Sequence, residues 1–475
     1  MSRVKVVVTI GPATATPAAV RALAAAGADV ARLNGSHGDL EGHAAAMEAI
    51  RAAAPGMPIL FDVPGRKIRT GRLRREPSFR AGDHIVLTTA EALEVEDKVP
   101  VTSATLHQEL AAGDTLLVDD GQLRFTVEAV VGQDVHCRAE TAGRLGSAKG
   151  INVPGLARQG ALLTERDQQM LDFARRQGAD FVGISFIESA EQVRAVRDAI
   201  GRSSPRIVSK IEHQRALDHL EEILEASDAI MVDRGDLSVE TGLRQVALLQ
   251  KRILAAARRA GRPAIVATEM LHSMVESPVP TKAEVSDITN AVLDGAAALM
   301  LSGETAIGRF PAEAVATMRE IADEAAGELQ ASLDHGHEPS TSSVPQAMED
   351  AIALICRRLP VTKIVAVTMG GYAARMVAAR QPRQPILAVS NDPAAARSFQ
   401  LLPGTMGIHV EVAFSRTSTD HIPRCLEALW RRGLLTDEDL VLVTSVGYPK
   451  SGNRMNLIQT HHVADLRESL GWQRA

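Results

Sequence analysis

Between residues 4 and 325, eight short apolar runs alternate with eight segments of helical periodicity. No other feature constrains the chain as much. The runs cover residues 4–10, 29–33, 58–63, 181–186, 207–209, 229–232, 264–267 and 297–301. They are predominantly apolar rather than alternating, as parallel strands buried on both faces require. The helical segments carry start and stop signals, such as Thr16-Pro17 before the first and Gly27 after it. Thr164-Glu-Arg-Asp opens the third as a capping box. Eight strands, each followed by a helix, is the count that closes a (β/α)8 TIM barrel.

The alternation is interrupted once. From about residue 72 to 149, long helical periodicities give way to short β-rich segments separated by Gly-Asp and Asp-Gly turns. The reading is an all-β lid, residues 71–152, inserted into a barrel made of 1–70 and 153–335. Residues 335–345 are polar and rich in Ser and Pro, as a linker is. Beyond them, helices over 347–359, 372–380, 393–402 and 422–432 alternate with strands over 363–368, 386–389, 410–414 and 440–444. That is a separate doubly wound α/β domain, residues 336–475.

Composition excludes several classes. The formal net charge of −6 argues against nonspecific nucleic-acid binding. No run of about 18 apolar residues occurs, so no membrane span is expected, and the amino-terminal apolar run is too short for a signal core. The three cysteines, Cys137, Cys356 and Cys425, have no metal-ligand spacing. They read as reduced thiols of a cytoplasmic protein. Aromatics are only 3% of the chain, so the core must be built from aliphatic residues.

A barrel concentrates chemistry at the carboxyl ends of its strands. Those ends carry Arg32, Asn34, Ser36 and His37 after strand two, and Asp62 on strand three. Lys210 and Glu212 follow on strand five, then Asp233, Arg234 and Asp236 after strand six. Thr268 and Glu269 end strand seven, and Ser302, Glu304 and Thr305 end strand eight. Taken singly, each has an ordinary explanation: an ion pair for Lys210 and Glu212, a turn for Asp233 to Asp236, a helix cap for Ser302. Their collection at one end of one barrel is not explained that way. The mixture suits a hard cation held by carboxylates beside a phosphorylated anion held by Arg and Lys.

The chain resembles the pyruvate kinase family along nearly all its length. The matching stretches begin with Thr9-Ile-Gly-Pro12, Ala31-Arg-Leu-Asn34, Ser36-His-Gly38 and Lys67-Ile-Arg-Thr-Gly71. They continue through Val118-Asp-Asp-Gly121, Lys149-Gly-Ile-Asn152, Ser209-Lys-Ile-Glu212 and Arg234-Gly-Asp-Leu237. The last are Ala267-Thr268, Ala283-Glu-Val-Ser-Asp287 and Met300-Leu-Ser-Gly-Glu-Thr305. The resemblance implies phosphoryl transfer from phosphoenolpyruvate to ADP, giving pyruvate and ATP, the last step of glycolysis.

It also implies roles. Glu212 and Asp236 match the ligands of a divalent ion, Mg²⁺ or Mn²⁺. Lys210 matches the lysine over the transferring phosphoryl group, and Arg32 and Arg69 the arginines on its oxygens. Asn34, Ser36, Asp62 and Val63 match the monovalent-cation positions. Thr268 and Ser302 match groups near the enolate. The backbone of Arg234 and Gly235 would hold the substrate carboxylate at a helix start. Pro12, Arg32, Asn34, His37 and Lys149 match nucleotide contacts, and Asp120 would come from the lid. A homotetramer is the usual assembly.

The sequence departs from the family pattern at several places. Lys67 stands where potassium-dependent members carry Glu, which implies that K⁺ is not required. Gly35 replaces a Phe, which would leave space beside the pocket. Asp233 replaces an Ala, Glu269 a Gln, His272 a Glu and His213 an Asn. Asp233 and Glu269 add negative charge where an anionic substrate is expected. Two alternatives therefore stand beside a pyruvate kinase. One is a relative that uses the same metal and enolate groups on another 2-oxo acid or enol phosphate. The other is a non-catalytic binding homologue. In the carboxy-terminal domain the loop matching the family's effector site, Thr368-Met-Gly-Gly-Tyr372, has few hydroxyl donors. Lys450, in the 447–453 stretch, is the basic residue expected to face it.

Overall fold

The structure is a computed structural model that describes residues 3–90, 98–156, 161–201, 204–333, 344–415, 418–446 and 455–473. Eight parallel strands close a barrel in chain order: Lys5–Thr9, Val30–Asn34, Ile59–Val63, Phe181–Ile184, Arg206–Ile211, Ala229–Asp233, Ala264–Ala267 and Ala298–Leu301. The closing pair is the first and last strand, with Lys5 opposite Ala298 and Val8 opposite Leu301. Inside, Val7, Val30, Leu60, Val208, Met231, Ile265 and Met300 form one buried cluster. A larger buried cluster joins the outer faces of the strands to the helices, including Leu23, Ile50, Val193, Ile253 and Met318. Both faces of each strand are therefore buried, which is why the apolar runs are continuous.

The helix caps follow the sequence. Thr16 accepts from the Ala19 amide, and Thr164 with Asp167, and Thr281 with Glu284, form full capping boxes. Helix Arg234–Thr241 follows strand six directly and begins at Arg234 and Gly235, the helix start that the resemblance implies. One element differs in extent. Helix Pro311–Leu333 runs on past residue 325.

The inserted segment forms a seven-stranded sheet that is mostly antiparallel and has its own core around Phe125, Leu116, Val135 and Cys137. Its edge strand Ile68–Arg69 and the neighbouring strand Gly150–Asn152 tether it to the barrel mouth. Asn152 Nδ2 donates to Glu240 Oε1 at 2.9 Å, fixing that tether to helix Arg234–Thr241.

The carboxy-terminal sheet has five strands, in the order Thr405–His409, Ile386–Ser390, Lys363–Val367, Leu440–Ser445 and Leu457–His462. The strand expected over 410–414 instead occupies Thr405–His409. Gly407 explains the shift. A Cβ there would lie 1.8 Å from the Ala396 carbonyl oxygen, so only glycine lets helix Pro393–Ser398 lie directly on this strand. Glycine is weakly β-forming, and the pattern hides the strand. The antiparallel strand Leu457–His462 and helix Val463–Leu470 were not expected. The linker residues 335–343 and the 447–453 stretch with Lys450 lie outside the described residues.

This domain docks on the amino-terminal end of the barrel. Arg397 Nε donates to Asp180 Oδ1 at 2.7 Å, Lys5 Nζ to the Thr405 carbonyl at 2.8 Å, and Leu401 enters the barrel's inner cluster. The opposite end, where the strand-end charges gather, is left to the lid. No described helix is long and apolar enough to cross a membrane.

Candidate active site

Strands two, three, five and six deliver six buried charged residues to one mouth: Arg32, Asp62, Lys210, Glu212, Asp233 and Asp236. Buried charge is costly unless it is paired and hydrogen-bonded. Here the pairing is nearly complete. Lys210 Nζ lies 2.7 Å from Glu212 Oε1, 2.9 Å from Asp233 Oδ2 and 3.7 Å from Asp62 Oδ2, and it donates to Ser185 Oγ at 2.9 Å. Burial opposes the ammonium charge. The three carboxylates outweigh it and hold Lys210 well above the usual lysine range.

Glu212 is the most strained of the carboxyl groups. Burial raises it, Lys210 pulls it down, and Asp233 and Asp236 push it up again, to about 7. Its Oε2 accepts the Phe186 amide at 2.6 Å. That amide is aimed inward because Phe186 turns left-handed, φ 55°, at the end of strand four. Asp233 behaves oppositely. Burial opposes its charge, but Lys210 outweighs burial, with help from Lys67 and Arg32, and the carboxyl sits below its usual range.

Arg32 is fixed by two neighbours. Its Nε and one terminal nitrogen donate to Asp62 Oδ2 at 3.1 and 2.6 Å, and the other terminal nitrogen donates to Thr9 Oγ1 at 3.1 Å. Asp62 fits because strand four carries Gly183 opposite it; a Cβ there would lie 2.4 Å from Asp62 Oδ1. Lys67 reaches across from the root of the lid and grips both oxygens of Asp236, at 2.6 and 2.7 Å. Its ammonium stands 5.6 Å from the Phe186 ring centre, and that ring stacks on His213. Asn34 instead accepts from the Ser36 amide at 3.1 Å, and Val63 is buried on strand three.

Glu212, Asp233 and Asp236 each present an oxygen, and these oxygens lie within 4.8 Å of one another. Three hard oxygen donors at that spacing fit a divalent ion of the Mg²⁺ or Mn²⁺ kind.

The remaining sequence candidates surround this centre. Arg69 lies on the lid's edge strand, its guanidinium on the Ala148 carbonyl at 3.0 Å. Burial and then the charges of Arg69 and Arg32 hold His37 below the usual histidine range, so the three share one flank of the mouth. Pro12 is exposed at the end of strand one. Lys149 pairs with Asp119 at 2.8 Å. Asp119 and the exposed Asp120 both turn left-handed, φ 54° and 53°. This brings Gly121 against Val239 on the mouth helix, where a Cβ would lie 3.7 Å from its side chain.

Thr268 is left-handed, φ 73°, a strained conformation for a β-branched residue. Its hydroxyl accepts the Gly235 amide at 2.9 Å, so the amide expected to meet a substrate carboxylate carries an internal partner. The Arg234 guanidinium points away from the mouth, onto Asp287 at 2.7 Å and the Thr268 carbonyl at 2.7 Å. The Ser302 amide donates to Glu304 Oε2 at 2.7 Å, and Glu304 Oε1 accepts the Leu271 amide at 3.0 Å, tying strands seven and eight.

Two expectations about the departures change. Gly35 leaves no vacancy: a Cβ there would meet the Asp62 carbonyl oxygen at 2.7 Å and the Phe61 ring at 3.2 Å. Gly35→Phe is therefore expected to destabilise the barrel by about 2 kcal/mol through overpacking, read as a lower unfolding midpoint. An unchanged midpoint would contradict the packing argument. Glu269 is exposed on the Thr268 turn, whereas Asp233 is the buried one. Ser185 and Thr9 hold Lys210 and Arg32 and were missed. Both stand at the carboxyl ends of strands one and four, so the strand-end rule reaches them when it is applied to all eight strands.

Comparison with known proteins gives a consistent result. Residues 1–315 match the family model described as pyruvate kinase, barrel domain, and residues 346–461 match pyruvate kinase, alpha/beta domain. A pyruvate kinase of Mycobacterium intracellulare is 38% identical over 476 residues, spanning 98% of this chain and 99% of its own. Pyruvate kinase 2 of Synechocystis is 38% identical over 93% of this chain and 76% of its own. The Geobacillus stearothermophilus enzyme is 36% identical over 98% and 81%.

Proposed function

The chain belongs to the pyruvate kinase family, whose members move a phosphoryl group from phosphoenolpyruvate to ADP with a divalent metal ion, and from that premise we propose how its residues divide the work. It is a phosphotransferase. One observation carries the residue-level reading: a single buried ammonium, Lys210, is centred among Glu212, Asp233 and Ser185 at the barrel mouth.

A loose phosphoryl transfer leaves little covalent chemistry to the protein, so positioning and charge dominate. Lys210 neutralises the transferring group as a point charge. Arg32, locked by Asp62 and Thr9, presents its guanidinium to phosphate oxygens, and Arg69 does so from the lid side. Glu212 and Asp236 would hold the divalent ion, which when bound would supply positive charge to the phosphate oxygens. Thr268 and Ser302 flank the enolate and hold the proton donor that converts it to pyruvate. Gly235 receives the substrate carboxylate once Thr268 releases its amide. Pro12, Asn34, His37 and Lys149 meet the nucleotide, and Asp120 arrives with the lid, whose closure excludes water.

Lys67 replaces the monovalent cation. Its ammonium already sits on Asp236, so K⁺ is not required. Mg²⁺ or Mn²⁺ is the ion that suits the carboxylate set. The free thiols, pushed up by burial to about 12, 11 and 12 for Cys137, Cys356 and Cys425, suit a cytoplasmic enzyme. A homotetramer needs two different faces. Exposed Leu243 and Leu248 on the barrel, and Leu354 on helix Val344–Arg358 with Leu359 just past its end, offer apolar patches for them.

Metal binding should depend on pH through Glu212. A ligand carboxylate must be ionised, and this one is raised to about 7 in the metal-free protein. Mn²⁺ affinity is expected to rise as pH climbs to about 7 and to level off above it. A flat titration between pH 5 and 8 would contradict this. The overall reading is tested by coupled pyruvate formation from phosphoenolpyruvate and ADP; absence of turnover with folded, metal-loaded enzyme would overturn it.

A further inference from the structure

We infer that Asp233 is a third protein ligand of the divalent ion, which this chain needs because Lys67 already occupies Asp236. The inference rests on the assignment of Glu212 and Asp236 as ligands. Lys67 holds both oxygens of Asp236, at 2.6 and 2.7 Å. A divalent ion bound to Asp236 must therefore share that carboxylate with an ammonium, and its attraction to the site is weakened accordingly.

Asp233 offsets this. It is the last residue of strand six and is buried. Its oxygen and those of Glu212 and Asp236 lie within 4.8 Å of one another, so a small inward turn of these side chains brings all three onto one ion. One of its oxygens, Oδ2, stands 2.9 Å from Lys210. The other, Oδ1, lies on the Gly235 side, 3.6 Å from where a Cβ on Gly235 would be. One oxygen can thus serve Lys210 while the other serves the ion. Charge agrees with this division. Four carboxylates, Asp62, Glu212, Asp233 and Asp236, face three cations, Arg32, Lys67 and Lys210. With Glu212 ionised, as ligation requires, the centre carries one excess negative charge with Asp233 and none without it. A cation is favoured only in the first case. Asp233 is thus not a charge that merely repels substrate; the ion it binds cancels the repulsion.

The test is a Mn²⁺ titration of metal-stripped, substrate-free enzyme, reading free Mn²⁺ by electron paramagnetic resonance. Asp233→Ala is the deciding variant, with Asp233→Asn as its near-isosteric companion and Asp236→Asn as the control. Thermal unfolding of each verifies that it is folded. Asp233→Ala is expected to weaken Mn²⁺ binding about tenfold or more, the scale of losing one ligand or its support. Asp236→Asn should do so as well. Wild-type Mn²⁺ affinity in Asp233→Ala, with a loss in Asp236→Asn, would overturn the inference: Asp233 would then serve Lys210 alone. Unchanged affinity in both would overturn the assignment of Asp236 as well.

Discussion

Replacing Lys210 with Met is expected to lower kcat by about a thousandfold while changing the KM for phosphoenolpyruvate far less. The ammonium is held at the centre of the mouth by Glu212, Asp233, Ser185 and, at 3.7 Å, Asp62. In a transfer governed by charge, a group placed where negative charge builds up contributes more to the transition state than to the ground state. A thousandfold loss corresponds to about 4 kcal/mol. Met preserves the length and apolar stem but leaves Glu212 and Asp233 without their counter-ion. Some loss of stability in metal-free protein is therefore expected, since breaking a buried pair strands its partner. Bound metal should restore much of it by taking over those carboxylates. Steady-state kinetics beside unfolding curves, each with and without Mn²⁺, separate the two effects. A kcat within tenfold of wild type would remove Lys210 from the chemistry.

The second large effect concerns Lys67. Changing it to Glu should make the enzyme dependent on potassium. The substitution replaces the ammonium on Asp236 with a carboxylate facing a carboxylate. Like charges so close cannot both stay ionised without a cation between them. In potassium-free buffer the variant is expected to lose about a hundredfold in rate, or about 3 kcal/mol. Saturating K⁺ should return most of that loss. A Lys67→Met variant separates charge from shape: it should lose rate, and K⁺ should help it less, because no new carboxylate is there to receive the ion. If Lys67→Glu works equally well with and without potassium, Lys67 is not the stand-in for a monovalent cation.

Much of this was legible in the chain because barrel geometry converts sequence position into spatial position. Continuous apolar runs gave the strands, and the residue after each run gave the mouth. Lys210, Glu212, Asp62 and Arg32 fall together for that reason alone. What stayed hidden depended on contacts between distant segments. Ser185 and Thr9 look like ordinary strand residues until the barrel closes and sets them beside Lys210 and Arg32. Strand Thr405–His409 hides behind Gly407, whose missing side chain is required by a helix not deducible from the strand itself. Gly35 reads as a lost Phe, yet the Phe61 ring and the Asp62 carbonyl fill its surroundings. The left-handed turn at Thr268 carries no local signal in a β-branched residue, and it decides that the Gly235 amide meets a hydroxyl. Asp233 was visible as an odd charge, but its sense could not be read without Lys210 and Lys67 beside it.

The most direct test of the whole account is the initial rate of pyruvate formation from phosphoenolpyruvate and ADP, with Mg²⁺, in buffer free of potassium, and again after potassium is added. A site built around Lys210 and completed by Lys67 predicts full turnover in the first case and no more than about a twofold change in the second. A rate that is negligible without potassium and rises tenfold or more with it would contradict the account.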